Sequence, residues 1–412
     1  MENLLNKTLY DIINSNPKMY DFFIANGFDN LKNKKMLQIM GKNIKLGMAL
    51  KSKKINPELF LEKVNAFLEK DGDVDISLEE NKISENEVDT QKDVLIEGVL
   101  PCPIRIPLLE GIKKWVDEQN KKNDYLIKYE LQSANLGLDW IIEKVKTGDV
   151  NKVPDVLLSA GFELFFDKNL MGQYMKNGVF ETYLENMNKD FYNENIDLHD
   201  PKKRYAIMGV VPAVFLVNKT ALKNRKIPQT WDDILTDEFE NSVALPMADL
   251  DLFNALIVMV YKEYGDDGIK KLAKVYQKNL HPAQMVKTKT RSNEAPAISI
   301  IPYFFSQMVN GAGDLKVVWP KDGALLSPIF MITKKEKADK IKPFLDLFLS
   351  EKIGNLFSAN GKFPTTNPNV DNHLEKSQNF KWVGWDFIYK NDIGEIIRNS
   401  EKLFNEEIKK YF

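Results

Sequence analysis

Four short segments of the sequence could hold a small ligand, and each directly follows an apolar, strand-like run. Residues 101–107 (Pro-Cys-Pro-Ile-Arg-Ile-Pro) follow the run 94–100. Their prolines, Pro103 among them, fix the backbone of a loop, and Arg105 offers a planar guanidinium able to grip a carboxylate or phosphate through two parallel bonds. Ser159, Ala160 and Gly161 follow the run 155–158, with side chains small enough for a ligand to approach the main chain. Asp249 and Asp251 follow the run ending at Pro246 and open an apolar helix, where either carboxylate binds a donor or caps the helix. Pro302 and Tyr303 close the set and contribute one phenol, followed by Phe304 and Phe305. The chemistry of these residues is recognition by charge-assisted bonds, helix starts and aromatic faces. Plainer roles stand beside it: Arg105 as a surface cation, Cys102 as a small buried apolar residue, 159–162 as an ordinary strand-to-helix turn, and Tyr303 as core.

Catalysis is not expected. The sequence holds no G-x-S-x-G elbow, Walker loop, G-x-G-x-x-G fingerprint or H-E-x-x-H helix, and Gly311-Ala-Gly313 is too short to cradle phosphates. One cysteine excludes an intramolecular disulfide, and the histidines His199, His281 and His373 show no metal-ligand spacing, so no cofactor is expected. Fifty-seven basic residues against 59 acidic ones leave a net charge of −2, without a global field for nucleic acid or a membrane surface. A small-molecule solute or a protein is the expected partner.

The opening residues carry Glu2 and lack the apolar run of a secretory signal, so a cytoplasmic location is expected. The longest apolar run, 255–261, is far short of the roughly 20 residues that span a bilayer and reads as a core helix.

Three segments must position these residues. Residues 1–70 read as a small helical domain from the three-and-four recurrence of Leu9, Ile12 and Ile13, and of Leu59, Phe60, Val64 and Phe67. Asn16-Pro17 breaks a helix, Asn26-Gly27 ends one, and Asn56-Pro57-Glu58 starts another. From 71 to 93 acids dominate, including Asp71, Asp73, Glu79, Glu85, Asp89 and Asp93, and apolar residues are scarce, which predicts a solvated linker. Residues 94–412 alternate strand-like with helix-like runs, predicting α/β architecture. Helices are expected at 108–119 and 140–145, and strands at 94–100, 126–131 and 155–158. Two long extended runs, 205–218 and 316–333, bracket the middle section.

Taken in order, five segments resemble the solute-binding proteins of ABC importers, in the type 2 periplasmic-binding-protein family and its ferric-iron or similar anion receptor branch. They are 205–219 ending Phe-Leu-Val-Asn-Lys, 228–246 containing Thr-Trp-Asp-Asp, 317–323, 341–350 and 361–365. The resemblance implies two lobes joined by crossing hinge strands, lobe 1 at about 94–205 and 330–412 and lobe 2 at about 215–320. It also implies lobe closure on a solute held by loops at the carboxyl ends of strands. Ferric receptors of that branch use two adjacent tyrosines where this chain has Tyr303-Phe304, so the resemblance points to an anionic or organic solute and leaves ferric iron as the weaker option. An ABC permease follows from it as partner, while the fused N-terminal segment and the missing signal favour a cytosolic sensor or carrier that signals to a protein partner through residues 1–70. That N-terminal segment resembles the DUF1858 domain, although 28–41 lack the cysteines many members carry.

Overall fold

A computed structural model describes residues 2–16, parts of 19–64, Asp89, and 91–411 except 101, 134–137, 183, 185, 248–249, 281–284, 287–294, 307–308, 310–312 and 361–362. The chain divides into two compact units, Met1–Glu80 and Asn81–Phe412.

In the first unit, α1 (Glu2–Leu5), α2 (Leu9–Ser15) and α3 (Leu46–Ser52) are described. Thr8 starts α2 by accepting a bond from the Asp11 N–H at 3.1 Å, and Asn16 closes it. The apolar stripe predicted from spacing is buried: Leu9, Ile12 and Ile13 pack with Leu46, Leu50, Phe23 and Phe28. The expected breaks at Asn26-Gly27 and Asn56-Pro57 lie outside the described residues.

The second unit is built on a ten-stranded mixed sheet in the order β2-β1-β3-β9-β4-β7-β5-β6, with β8 beside β4 and β10 beside β9. The strands are β1 (Val94–Leu100), β2 (Ile127–Ser133), β3 (Val156–Ala160), β4 (Ala206–Asn218), β5 (Val243–Leu245), β6 (Tyr276–Asn279), β7 (Ile298–Pro302), β8 (Leu315–Val318), β9 (Ala324–Thr333) and β10 (Phe380–Lys381). The helices include α4 (Cys102–Asn120), α5 (Asp139–Lys146), α6 (Glu163–Phe166, a single turn), α7 (Leu250–Val275), α8 (Tyr303–Ser306, also short), α9 (Ala338–Phe348) and α10 (Ile393–Ile408). Other short helices are given by residue range.

Two strands join the halves of this sheet. β4 pairs antiparallel with β9 from Ala206 to Ala213, then with β7 from Ala213 to Val217. β9 returns antiparallel beside β3, Ile329 to Thr333 facing Ala160 to Val156. Side-chain alternation explains why a strand of 13 residues is apolar up to its last residue, Asn218: Phe215 and Val217 enter the main core, while Val214 and Leu216 enter a second cluster with Ala244, Met285 and Ile301 on the opposite face.

The Thr-Trp-Asp-Asp motif anchors the second half beneath β4. Thr230 and Asp233 form a reciprocal cap, Asp233 accepting the Gln229 and Thr230 N–H groups at 2.7 and 3.0 Å. These bonds hold the Asp233 carboxyl below its usual range. Trp231, 1% exposed, stands edge-on to Phe215 and donates from Nε1 to the Gly323 carbonyl at 3.0 Å.

Three expectations are corrected. The segment 101–107 is not a loop: α4 begins at Cys102, six residues before the predicted start. A proline in the first turn of a helix has no intrahelical N–H bond to lose, so Pro103 fits there. The run 316–333 is not one strand, because Pro320 and Gly323 turn the chain between β8 and β9, with the Gly323 N–H on the Pro320 carbonyl at 3.0 Å. Asp93, counted with the solvated linker, is 6% exposed and accepts the Leu126 N–H at 3.0 Å, starting β1. Near it lies a buried ion group: Asp155 meets Lys334 at 3.0 Å and Lys337 at 2.9 Å, and accepts the Leu95 N–H at 2.8 Å.

Candidate functional site

Parallel pairing sets the geometry of the site. β1 and β3 run side by side, so the start of α4 and the turn after β3 emerge at the same edge of the sheet. β5 and β7 are likewise parallel and put the starts of α7 and α8 together at the carboxyl end of the second half.

The turn after β3 is made by Gly161 at φ +94°, a conformation that L side chains rarely adopt. Its N–H donates to the Pro328 carbonyl of β9 at 3.1 Å. A Cβ built on Gly161 would lie 2.8 Å from Cγ of Asp251, so the Asp251 carboxylate rests directly on the bare Cα. Asp251 is half-buried in the first turn of α7, and Ser327 of β9, 1% exposed, points its hydroxyl at the Asp251 carbonyl at 3.5 Å. Gly161 from the turn after β3, Ser327 from the returning strand and Asp251 from the far half therefore converge. One turn further along α7, Asn254 is 2% exposed, and its Oδ1 has no hydrogen-bond partner among the described residues.

The other predicted residues are placed as follows. Ser159 and Ala160 are buried inside β3, and the Ser159 hydroxyl donates to the Ala160 carbonyl at 3.0 Å. Cys102, Pro103 and Arg105 occupy the first turn of α4, and their side chains lie outside the described residues, as does Asp249 altogether. Pro302 ends β7. Tyr303 opens α8 with its ring edge-on to Trp319 at 5.1 Å, packed on the second apolar cluster. Phe304 turns the other way: its ring meets Phe363 at 5.0 Å, and Phe363 is 1% exposed. The segment carrying Phe363 is sewn to the start of β4, where Thr365 and Thr366 donate to the Met208 and Ile207 carbonyls at 2.9 and 2.6 Å.

Sequence reasoning missed Ser327, Asn254, Phe363 and Glu163. Ser327-Pro328 was the available signal, a polar and a proline residue interrupting an otherwise apolar buried strand. Glu163 follows Gly161 by two residues. Desolvation raises its carboxyl, Arg398 opposes that, and Asp167 and Asp139 add to it.

Residues 151–391 match the family described as bacterial extracellular solute-binding protein, and residues 5–61 match the domain of unknown function DUF1858. No curated protein matches the chain. Among solved structures, the ferric binding protein from Campylobacter jejuni is similar at 14% identity, with a TM-score of 0.52, over 76% of this chain and 99% of that one. Trichodesmium IdiA (FutA), solved with iron and citrate, shares 13% identity at a TM-score of 0.51, with 76% and 99% covered. Iron-bound HitA from Pseudomonas aeruginosa shares 12% at 0.51, again over 76% and 99%. At such identities the likeness is one of fold, and that fold is the two-lobe type 2 periplasmic-binding-protein architecture with β4 and β9 as its crossing strands. The family match spans residues 151–391, from just before β3 to just past the short helix that follows Trp382, covering more than half of the sequence, and the chain belongs to the bacterial extracellular solute-binding protein family.

Proposed function

We propose that the protein closes its two halves on a small organic solute carrying an anionic group, and that ferric iron is not its cargo. The observation that carries this reading is the Tyr303-Phe304 pair. Fe(III) is a hard cation that needs oxygen donors, and Phe304 offers none. Its ring lies instead on Phe363 from the opposite half, an apolar wall suited to a carbon skeleton. Arg105, at the start of α4, is assigned to the anionic group, because a helix start and a guanidinium both favour negative charge. Asn254 and Asp251 are assigned to polar hydrogens of the solute. The halves, about 94–205 with 330–412 and about 215–320, move about β4 and β9, and the solute shifts an existing open–closed balance by its preference for the closed form.

In this reading the partner is an ABC permease, and no catalytic step is assigned. A second reading, a cytoplasmic sensor or carrier whose closure is relayed to a protein partner, is favoured by the separate N-terminal unit with its own buried core. Fractionation of native cells, with the protein found in the soluble cytoplasm or outside it, separates the two.

The test begins with native mass spectrometry of protein purified from its own cells, set against the denatured mass, and with metal analysis of the same sample. A bound organic molecule is expected, and iron at one per chain would overturn the proposal. Titration of the recovered molecule into Arg105→Ala, Tyr303→Phe and Asn254→Ala should show weakened binding with the fold intact. Unchanged affinity in all three would remove the assigned site.

A further inference from the structure

The last helix of the chain grips both halves of the second unit. At its start, Asp392 caps α10 by accepting the Glu395 N–H at 3.2 Å and also accepts the Lys168 N–H at 3.4 Å. Gly394 lies so close to Asp167 that a Cβ there would come under 3.0 Å from the carboxylate. One turn on, Arg398 pairs with Asp167, which is 3% exposed. Asp167 and Lys168 directly follow α6, so these contacts fasten α10 to the end of β3 and the turn at Gly161. Six residues later, about 9 Å along the axis at 1.5 Å per residue, Phe404 is fully buried on the other half. Its ring stands edge-on to Phe253 at 5.6 Å and to Tyr276 at 5.7 Å. Phe253 lies between Asp251 and Asn254 in sequence, within the first two turns of α7.

We propose that α10 is a strap across the two halves: they separate only when Phe404 leaves α7 or Arg398 leaves Asp167, and the strap therefore sets the resting balance between open and closed forms. This rests on the two-half closure proposed above. The seam between α6 and α10 also holds a like-charge pair. The Glu401 carboxyl is raised by burial and then by Glu163, while Glu163 is raised by desolvation, with Asp167 and Asp139 adding and Arg398 opposing. When ionised, the two carboxylates push apart across this seam and against the strap, and protonation relieves them.

The experiment measures the distance between spin labels on the full-length protein at Lys152→Cys and Lys270→Cys, both exposed and one on each half, with Cys102→Ser in every sample. In the otherwise unchanged protein one short distance should dominate. Arg398→Met and Phe404→Leu should each raise a longer-distance population at least fivefold, and Glu401→Gln should lower it at pH 8. The Arg398 side chain is 49% exposed, so its replacement tests the strap even where the Phe404 variant fails to fold. Two populations that no variant alters would overturn the strap and leave the hinge standing. One unaltered distance in all samples, at pH 5 and pH 8 alike, would overturn both.

Discussion

Gly161→Ala probes the meeting of the two halves most directly. The substitution has two separable costs. An alanine held at φ +94° is strained by about 1–2 kcal/mol. Its methyl group also has to share space with the Asp251 carboxylate, whose Cγ would be only 2.8 Å away. The carboxylate is a side chain and can turn aside, but it then gives up its place in the first turn of α7, which costs a further ~1–2 kcal/mol on the scale of a lost capping or charged hydrogen bond. The single variant should therefore lose about 2–4 kcal/mol, roughly half of it recoverable by removing the obstacle. In an Asp251→Ala background only the backbone strain remains, so the same change should cost about 1–2 kcal/mol, with a coupling energy of at least ~1 kcal/mol between the sites. Urea unfolding followed by tryptophan fluorescence measures all four corners of this cycle. An equal cost of Gly161→Ala in both backgrounds would refute the contact between β3 and α7.

Three further outcomes are expected. Asp155→Ala takes the carboxylate partner from buried Lys334 and Lys337 and the acceptor from the Leu95 N–H, so stability should fall by about 3–5 kcal/mol in the same urea assay. Thr230→Ala removes half of the reciprocal cap and should cost about 1 kcal/mol, without altering solute affinity, since the cap only seats Trp231. Glu401 is raised in the folded protein above its ordinary 4.5, so its favourable share is complete below pH 4.5 and is lost as pH climbs through the raised value. The stability difference between the wild type and Glu401→Gln should accordingly move toward the variant as pH rises above 4.5, and a pH-independent difference would show that Glu401 does not feel the seam.

What the sequence made legible was whatever local chemistry dictates. The crossing strands announced themselves as long apolar runs because β4 is buried on both faces and only its last residue, Asn218, which caps the following helix, is polar. Thr230 to Asp233 was readable because a cap is complete within four residues. The start of α4 was misread for an equally local reason: prolines that usually stiffen loops are also tolerated where a helix has no N–H bond to lose, and spacing alone does not separate the two. The site itself was legible only as a set of candidate segments. Gly161 and Asp251 stood out singly, one for small size and one for position, yet nothing along the chain says that the carboxylate rests on the glycine. That fact arises from the fold, in which β3 is brought beside β9 and β9 beneath α7.

Long-range pairing also decides what Phe304 does. Read as a residue type, it marks a missing phenol beside Tyr303. In the fold it supplies a contact between halves, because the 363–366 segment is bonded to β4 and presents Phe363 to it. Asp167 and Arg398 are 231 residues apart and carry no signature that joins them. The same holds for Phe404 with Phe253, so the helix that straps the halves reads in sequence as an ordinary amphipathic C-terminal helix. The fold is thus locally written in its strands and caps, but the contacts that would set the open–closed balance proposed above are written across the chain. Substitutions there should change affinity without touching the solute, since any contact favouring the closed form enters the apparent binding constant through the population of that form.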